Sequence, residues 1–61
     1  MENIGENIRV RRMKRGWSQQ ELAVAAGVTV TTICNLEQGL VKKPHPNNLN
    51  KIMEVLESEG L

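Results

Sequence analysis

Apolar side chains recur at helical spacing in four stretches of the chain, separated by glycines and prolines. Ile4 and Ile8 stand one turn apart within residues 3–15; Leu22, Ala23 and Ala26 share a face after residue 18; Ile33 and Leu36 do so over residues 30–38. Leu49, Ile52, Met53 and Leu56 fall at offsets of zero, three, four and seven, an apolar stripe along one side of a fourth helix. The punctuation agrees with these periods. Gly16 follows a basic last turn and stops the first helix. Ser18 with Glu21 three residues on is a capping box, flanked by Trp17 and Leu22 at the spacing of a hydrophobic staple, so the second helix starts at Gln19. It ends at Gly27, and Thr29 caps the third helix, with Val28 and Ile33 as a second staple; Gly39 closes that helix. The prolines of "LVKKPHP" forbid a regular helix, so the fourth begins near Asn47 or Asn48, either of which suits a cap.

Two capped helices joined by so short a turn can neither run antiparallel nor continue as one rod. They cross steeply, a helix-turn-helix with its core at residues 18–38. With Ile33 and Leu36 turned inward, Thr31, Asn35 and Gln38 face out and Val30 stands beside them near the amides of the helix N-terminus, which attract phosphate. Solvated faces usually carry Lys and Glu. An uncharged face of Thr, Asn and Gln suits the reading of base edges in a major groove. Arg12, one turn after Ile8, and Glu37, beside Leu36, both lean toward the core, so a structural ion pair between them is expected.

A chain of 61 residues is expected to be one domain, 1–61, of thin stability. Trp17 is its only aromatic, and a core of Ile, Leu, Val, Met and Ala favours helices over a β-sandwich. Trp17 itself is expected at the core or its rim, because of its staple position. The net charge of +1 conceals a segregation: residues 9–51 hold all eight Lys and Arg against only Glu21 and Glu37. Five of the cations lie in "RVRRMKR", and Lys42 and Lys43 sit in the loop after the third helix. Such clusters are ordinarily solvated faces, and they are also what an anionic polymer meets. Cys34 is the single cysteine and His45 the single histidine, too few for a disulfide or a structural zinc site, so no metal is expected. Cys34 suits a small filler and His45, between two prolines, a solvated side chain. No nucleophile and base set or glycine-rich phosphate loop is visible, hence no enzyme and no cofactor. The longest apolar run, "LAVAAGV", is far short of the roughly 20 residues of a membrane span, and the "MENIGE" start is unlike a signal peptide. A cytoplasmic, nucleoid-associated chain with no membrane partner is expected.

The stretch "IGENIRVRRMKRGWSQQELAVAAGVTVTTICNLEQGLVKKP" resembles the Cro and lambda-repressor type (XRE-like) of helix-turn-helix domain, over residues 4 to about 56. The likeness rests on "SQQELA", Gly27-Val28-Thr29, Thr32-Ile33 and Leu36-Glu37 followed by Gly39. It implies a compact all-α, four-helix domain and a transcriptional regulator, a repressor, that binds double-stranded DNA with its third helix in the major groove. Val30, Thr31 and Asn35 would face bases; Gln19, Gln38, Lys42 and Lys43 would hold the DNA backbone; the Arg12–Glu37 pair has a counterpart in some phage repressors. The sequence departs from the family in three ways. "ESEGL" stands where a fifth helix is usual, Val24 and Ala25 replace polar residues, and Cys34 replaces a serine. A homodimer on half-sites about 34 Å apart is expected from the small size of one recognition unit. The alternative reading is a protein-interaction module of the same fold, an antitoxin or adaptor, using the outward Val10, Val24 and Leu40.

Overall fold

A computed structural model describes residues 4–41 and 43–57 of the chain. It contains α1 (Ile4–Lys14), α2 (Gln19–Ala26), α3 (Val30–Glu37) and α4 (Pro46–Glu57), with no strand among the described residues. Side-chain caps start α2 and α3, and backbone bonds at a glycine end each of the first three helices. Ser18 takes an extended conformation, its Oγ accepts the Glu21 N–H at 3.1 Å, and its own N–H is donated to Glu21 Oε1 at 2.7 Å. Two of the orphan donors at the start of α2 are thereby satisfied. At the other end Gly27 turns left-handed (φ +74°), and the N–H groups of Gly27 and Val28 return to the carbonyls of Val24 and Ala23. A side chain at that φ would meet its own backbone, so the tight exit depends on glycine. The same pair of bonds closes α1 at Gly16 and α3 at Gly39.

The fourth helix corrects the expectation from sequence. It starts at Pro46, ahead of Asn47 and Asn48, and His45 does the capping: its Nδ1 accepts the Asn47 N–H at 3.2 Å and its carbonyl accepts the Leu49 N–H at 3.0 Å. Proline breaks a helix only in the interior. In the first helical position it has no N–H to leave unpaired and its φ is already helical, so the second proline of the loop begins the helix it was expected to delay. His45 is exposed, as expected, yet it has this structural bond.

Packing follows the apolar stripes. Helices α1 and α2 each lie against both α3 and α4. Ile8, Leu22, Ile33 and Ile52, one from each helix, have no exposed surface and form the centre, with Ala23, Ala26, Leu36 and Leu56 around them. Burial of each large side chain contributes about 1.5–3 kcal/mol. Trp17, Val28, Leu49 and Met53 are half-buried against this core. Gly5 is buried where the start of α1 meets the last turn of α3. A β-carbon there would lie 3.1 Å from the Leu36 carbonyl carbon and 3.2 Å from the Glu37 Cα, and closer still to the Leu36 oxygen. The two backbones touch only because residue 5 has no side chain.

Candidate nucleic-acid interface

The outer face of α3 is built from its N-terminus upward. Thr29 caps the helix by accepting the Thr32 N–H at Oγ1, 3.2 Å, and the Thr29 and Thr32 hydroxyls lie 2.9 Å apart. Val30 is 38% exposed, and Thr31 and Gln38 are exposed, while Asn35 is half-buried. Asn35 borders a hollow of about 200 Å³ between α3 and the start of α4, shared with Thr32, Val41, His45 and Asn48. The outward face of α3 therefore adjoins a mainly apolar notch, with Leu36, Val41 and Pro44 beside the polar groups. Gln38 donates its amide Nε2 to Cys34 Sγ at 3.2 Å, one turn back along the helix. The half-buried thiol thus orients a polar side chain on this face as well as filling space, a use the one-turn spacing of the two residues allows.

At the far end of α3 the Arg12 guanidinium grips Glu37 in fork fashion, Nε to Oε2 at 2.7 Å and Nη2 to Oε1 at 3.1 Å. Its third arm, Nη1, donates to the Trp17 carbonyl at 2.7 Å. The side chains of Arg12 and Glu37 are only 12% and 4% exposed. Each charge is taken from water together with its partner, the condition under which a buried ion can be held. Gln19 joins them: its Nε2 donates to Glu37 Oε1 at 3.0 Å. No local signal in the sequence announces that bond, because 18 residues separate the two side chains.

The basic first helix divides into two groups. Arg11 donates to Asn7 Oδ1, and Arg15 donates to the Leu56 carbonyl while its guanidinium carbon lies 4.8 Å from the centre of the Trp17 ring. With Arg12, they tie α1 to itself, to α4 and to the turn before α2. Arg9 and Lys14 are exposed. Lys14 and Val10 line a hollow of about 480 Å³ between α1 and α4 that also takes in Arg11 and Leu56. Lys43 is exposed beyond α3, and Lys42 lies outside the described residues, as does the end of the chain after Glu57. Val10 and Val24 are placed on separate helices, Val10 beside α4 and Val24 (70% exposed) on the solvent side of α2. Leu40 is exposed at 66%, and Met13, which the apolar pattern does not single out, at 62%. No helix among the described residues is long and apolar enough to cross a membrane.

Comparison with known proteins gives this arrangement a family. A model described as helix-turn-helix matches residues 8–59. The HTH-type transcriptional regulator SlrR of Bacillus subtilis is 36% identical over 56 residues, which cover 92% of this chain and 37% of SlrR. An HTH-type transcriptional regulator of Mycobacterium tuberculosis is 39% identical over 51 residues, 84% of this chain and 20% of that protein, and one from Mycobacterium bovis matches equally. The chain thus spans between a fifth and two fifths of these relatives. No solved structure gives a significant match. On the capped α2–α3 pair, its spacing and the family match over residues 8–59, the chain belongs to the Cro and lambda-repressor type, XRE-like family of helix-turn-helix proteins.

Proposed function

We propose that this chain is a sequence-specific, DNA-binding regulator of transcription that lays α3 in the major groove and represses by occupancy. The observation that carries the proposal is the two-sidedness of α3. One side is locked into the fold by Ile33, Leu36 and Glu37, while the other offers Val30, Thr31, Asn35 and Gln38 without a single charge. A helix face that is uncharged, polar and backed by the core is matched to base edges: Asn35 to adenine N6 and N7, Val30 or Thr31 to a thymine methyl. An operator half-site containing A/T follows from those side chains. Gln19 at the start of α2, Gln38, and Lys42 and Lys43 in the loop after α3 hold the DNA backbone. Arg9 and Lys14 are exposed cations of α1 that add long-range attraction, as does Arg11, whose bond to the neutral Asn7 amide leaves its charge in place, whereas Glu37 neutralises Arg12. The relatives' description as transcriptional regulators supports the same reading.

A unit this small makes few base contacts, so two copies bound to half-sites about 34 Å apart would supply the specificity. Selection of random duplex DNA by the purified protein, at low and at moderate salt, tests the proposal. The expected product is an inverted repeat with affinity that falls steeply as salt rises. Recovery of no motif, with weak and salt-insensitive retention, would instead favour a protein partner docking on apolar side chains such as Val24.

A further inference from the structure

The Glu37 carboxylate is a meeting point of three helices, and it does more than neutralise Arg12. Its two oxygens accept both bonds of the Arg12 fork, and Oε1 also accepts Gln19 Nε2 at 3.0 Å. Gln19 is the first residue of α2. The capping box takes the amides of Ser18 and Glu21, and Leu22 bonds back to the Ser18 carbonyl. The backbone N–H groups of Gln19 and Gln20 are therefore those left without an acceptor inside the helix. A glutamine amide nitrogen carries two hydrogens. One lies on Glu37, which fixes the carboxamide beside the open end of α2 with its other hydrogen unclaimed among the described residues.

We infer that Glu37 is a positioning residue for the DNA-backbone contact: it holds the Gln19 carboxamide so that the second N–H, beside the open amides of α2, meets a phosphate. This rests on the DNA-binding reading above. Arg12 has a matching part in it. A lone carboxylate next to that contact would repel phosphate, and the fork from Arg12 cancels its charge while leaving Oε1 able to accept. A tethered glutamine also loses less side-chain freedom when DNA binds than a free one does. Simple removal of a negative charge should tighten binding to a polyanion, whereas loss of a positioning acceptor should weaken it. The two roles therefore predict opposite signs.

The test is the binding of the full chain to a mixed-sequence duplex across a salt series, with helix content and thermal melting recorded for every variant. Gln19→Ala should weaken binding about fivefold to tenfold and leave the salt slope unchanged, since no charge is lost. Arg12→Met combined with Glu37→Met replaces the ion pair by apolar side chains, a change that buried pairs often tolerate, and keeps the net charge. It should weaken binding by the same factor, with no further loss when Gln19→Ala is added. Arg12→Met with Glu37→Gln returns a neutral acceptor to Gln19 and should restore most of the affinity. Wild-type affinity in the double-Met variant, or an undiminished effect of Gln19→Ala within it, overturns the inference. Should the double-Met variant lose its helix content, the Gln19 side-chain amide protons observed by NMR decide. The proton away from Glu37 should shift on duplex addition while its partner stays bound, and release of Glu37 by Gln19 overturns the inference. Absence of salt-sensitive binding by the unmodified protein is a distinct result: it overturns the DNA-binding reading before any variant is made, and the inference with it.

Discussion

The α2–turn–α3 unit and the junction of α1 with α3 are both held by specific contacts, but they are specified in different ways. Every boundary of the first is made within a few residues: Ser18 with Glu21, Gly27 with the carbonyls of Ala23 and Val24, Thr29 with Thr32. The second depends on residues far apart in sequence, Gly5 against Leu36 and Arg12 with Glu37, and so on a shape that exists only when both helices are in place. Local motifs declare themselves and tolerate change one at a time. A long-range junction fails as a unit.

The largest effect should therefore come from the smallest change at the junction. Gly5→Ala adds one methyl group directly against the backbone of Leu36 and Glu37, which cannot swing aside as a side chain would. Overpacking against a fixed backbone costs about 3 kcal/mol, a large share of the roughly 3–9 kcal/mol available to a chain of this length. Urea denaturation should show the midpoint falling steeply. A Gly5→Ala protein as stable as the original would mean that α1 can shift, and that the junction is looser than the contact implies.

The same contrast explains what the sequence makes legible. Helices α1, α2 and α3, their glycine exits, the inward set Leu22, Ala23, Ala26, Ile33 and Leu36, and the outward Thr31 and Gln38 all follow from spacing and capping chemistry, which act over four residues or fewer. The ion pair of Arg12 and Glu37 can be anticipated because each residue lies beside a core position on its own helix. Gly5 cannot be anticipated in this way, because a glycine inside a helix does not reveal which backbone approaches it. Gln19 on Glu37 is hidden for the same reason. The start of α4 fails differently: a proline is read as a breaker unless its place in the helix is already known, and histidine is an uncommon cap. Within the site, the face of α3 is apparent from a helical wheel, whereas which α1 cations bond within the fold requires the positions of Asn7, Leu56 and Trp17.

On the outward side of α3 the Asn35 side chain makes none of the capping or junction bonds, so its removal leaves both regions in place. Asn35→Ala should leave helix content and the urea midpoint nearly unchanged. Operator binding should lose about 2 kcal/mol, confined to one base position. Affinity measured across single-base operator variants would reveal this as flattened discrimination at that position only. Equal weakening on every sequence would remove Asn35 from the reading set.

Gly27→Ala tests the local unit at its sharpest point. Alanine can occupy the left-handed conformation at φ +74° only with strain, and open space surrounds the added methyl group. The cost should thus be the backbone term alone, about 1 kcal/mol. A loss as large as that expected for Gly5→Ala would show that the turn, too, depends on long-range contact, and would erase the distinction between the two regions.

The cap of α4 should give the smallest change and is the most discriminating about mechanism. His45 is exposed and its ring makes one bond to the helix, from Asn47 N–H to Nδ1 at 3.2 Å. His45→Ala should cost about 0.5 kcal/mol, the lower end of the range for lost caps. His45→Asn should restore that stability or exceed it, since a shorter amide oxygen reaches the same N–H from the usual capping position. Both variants keep Pro46, so any difference between them reports the cap and not the preset φ of the first turn. Equal stability of His45→Ala and the unmodified protein would leave Pro46 and the burial of Ile52 and Leu56 as the whole reason α4 begins where it does. That start would then be set by packing, as the α1–α3 junction is, and not by local capping as in α2 and α3.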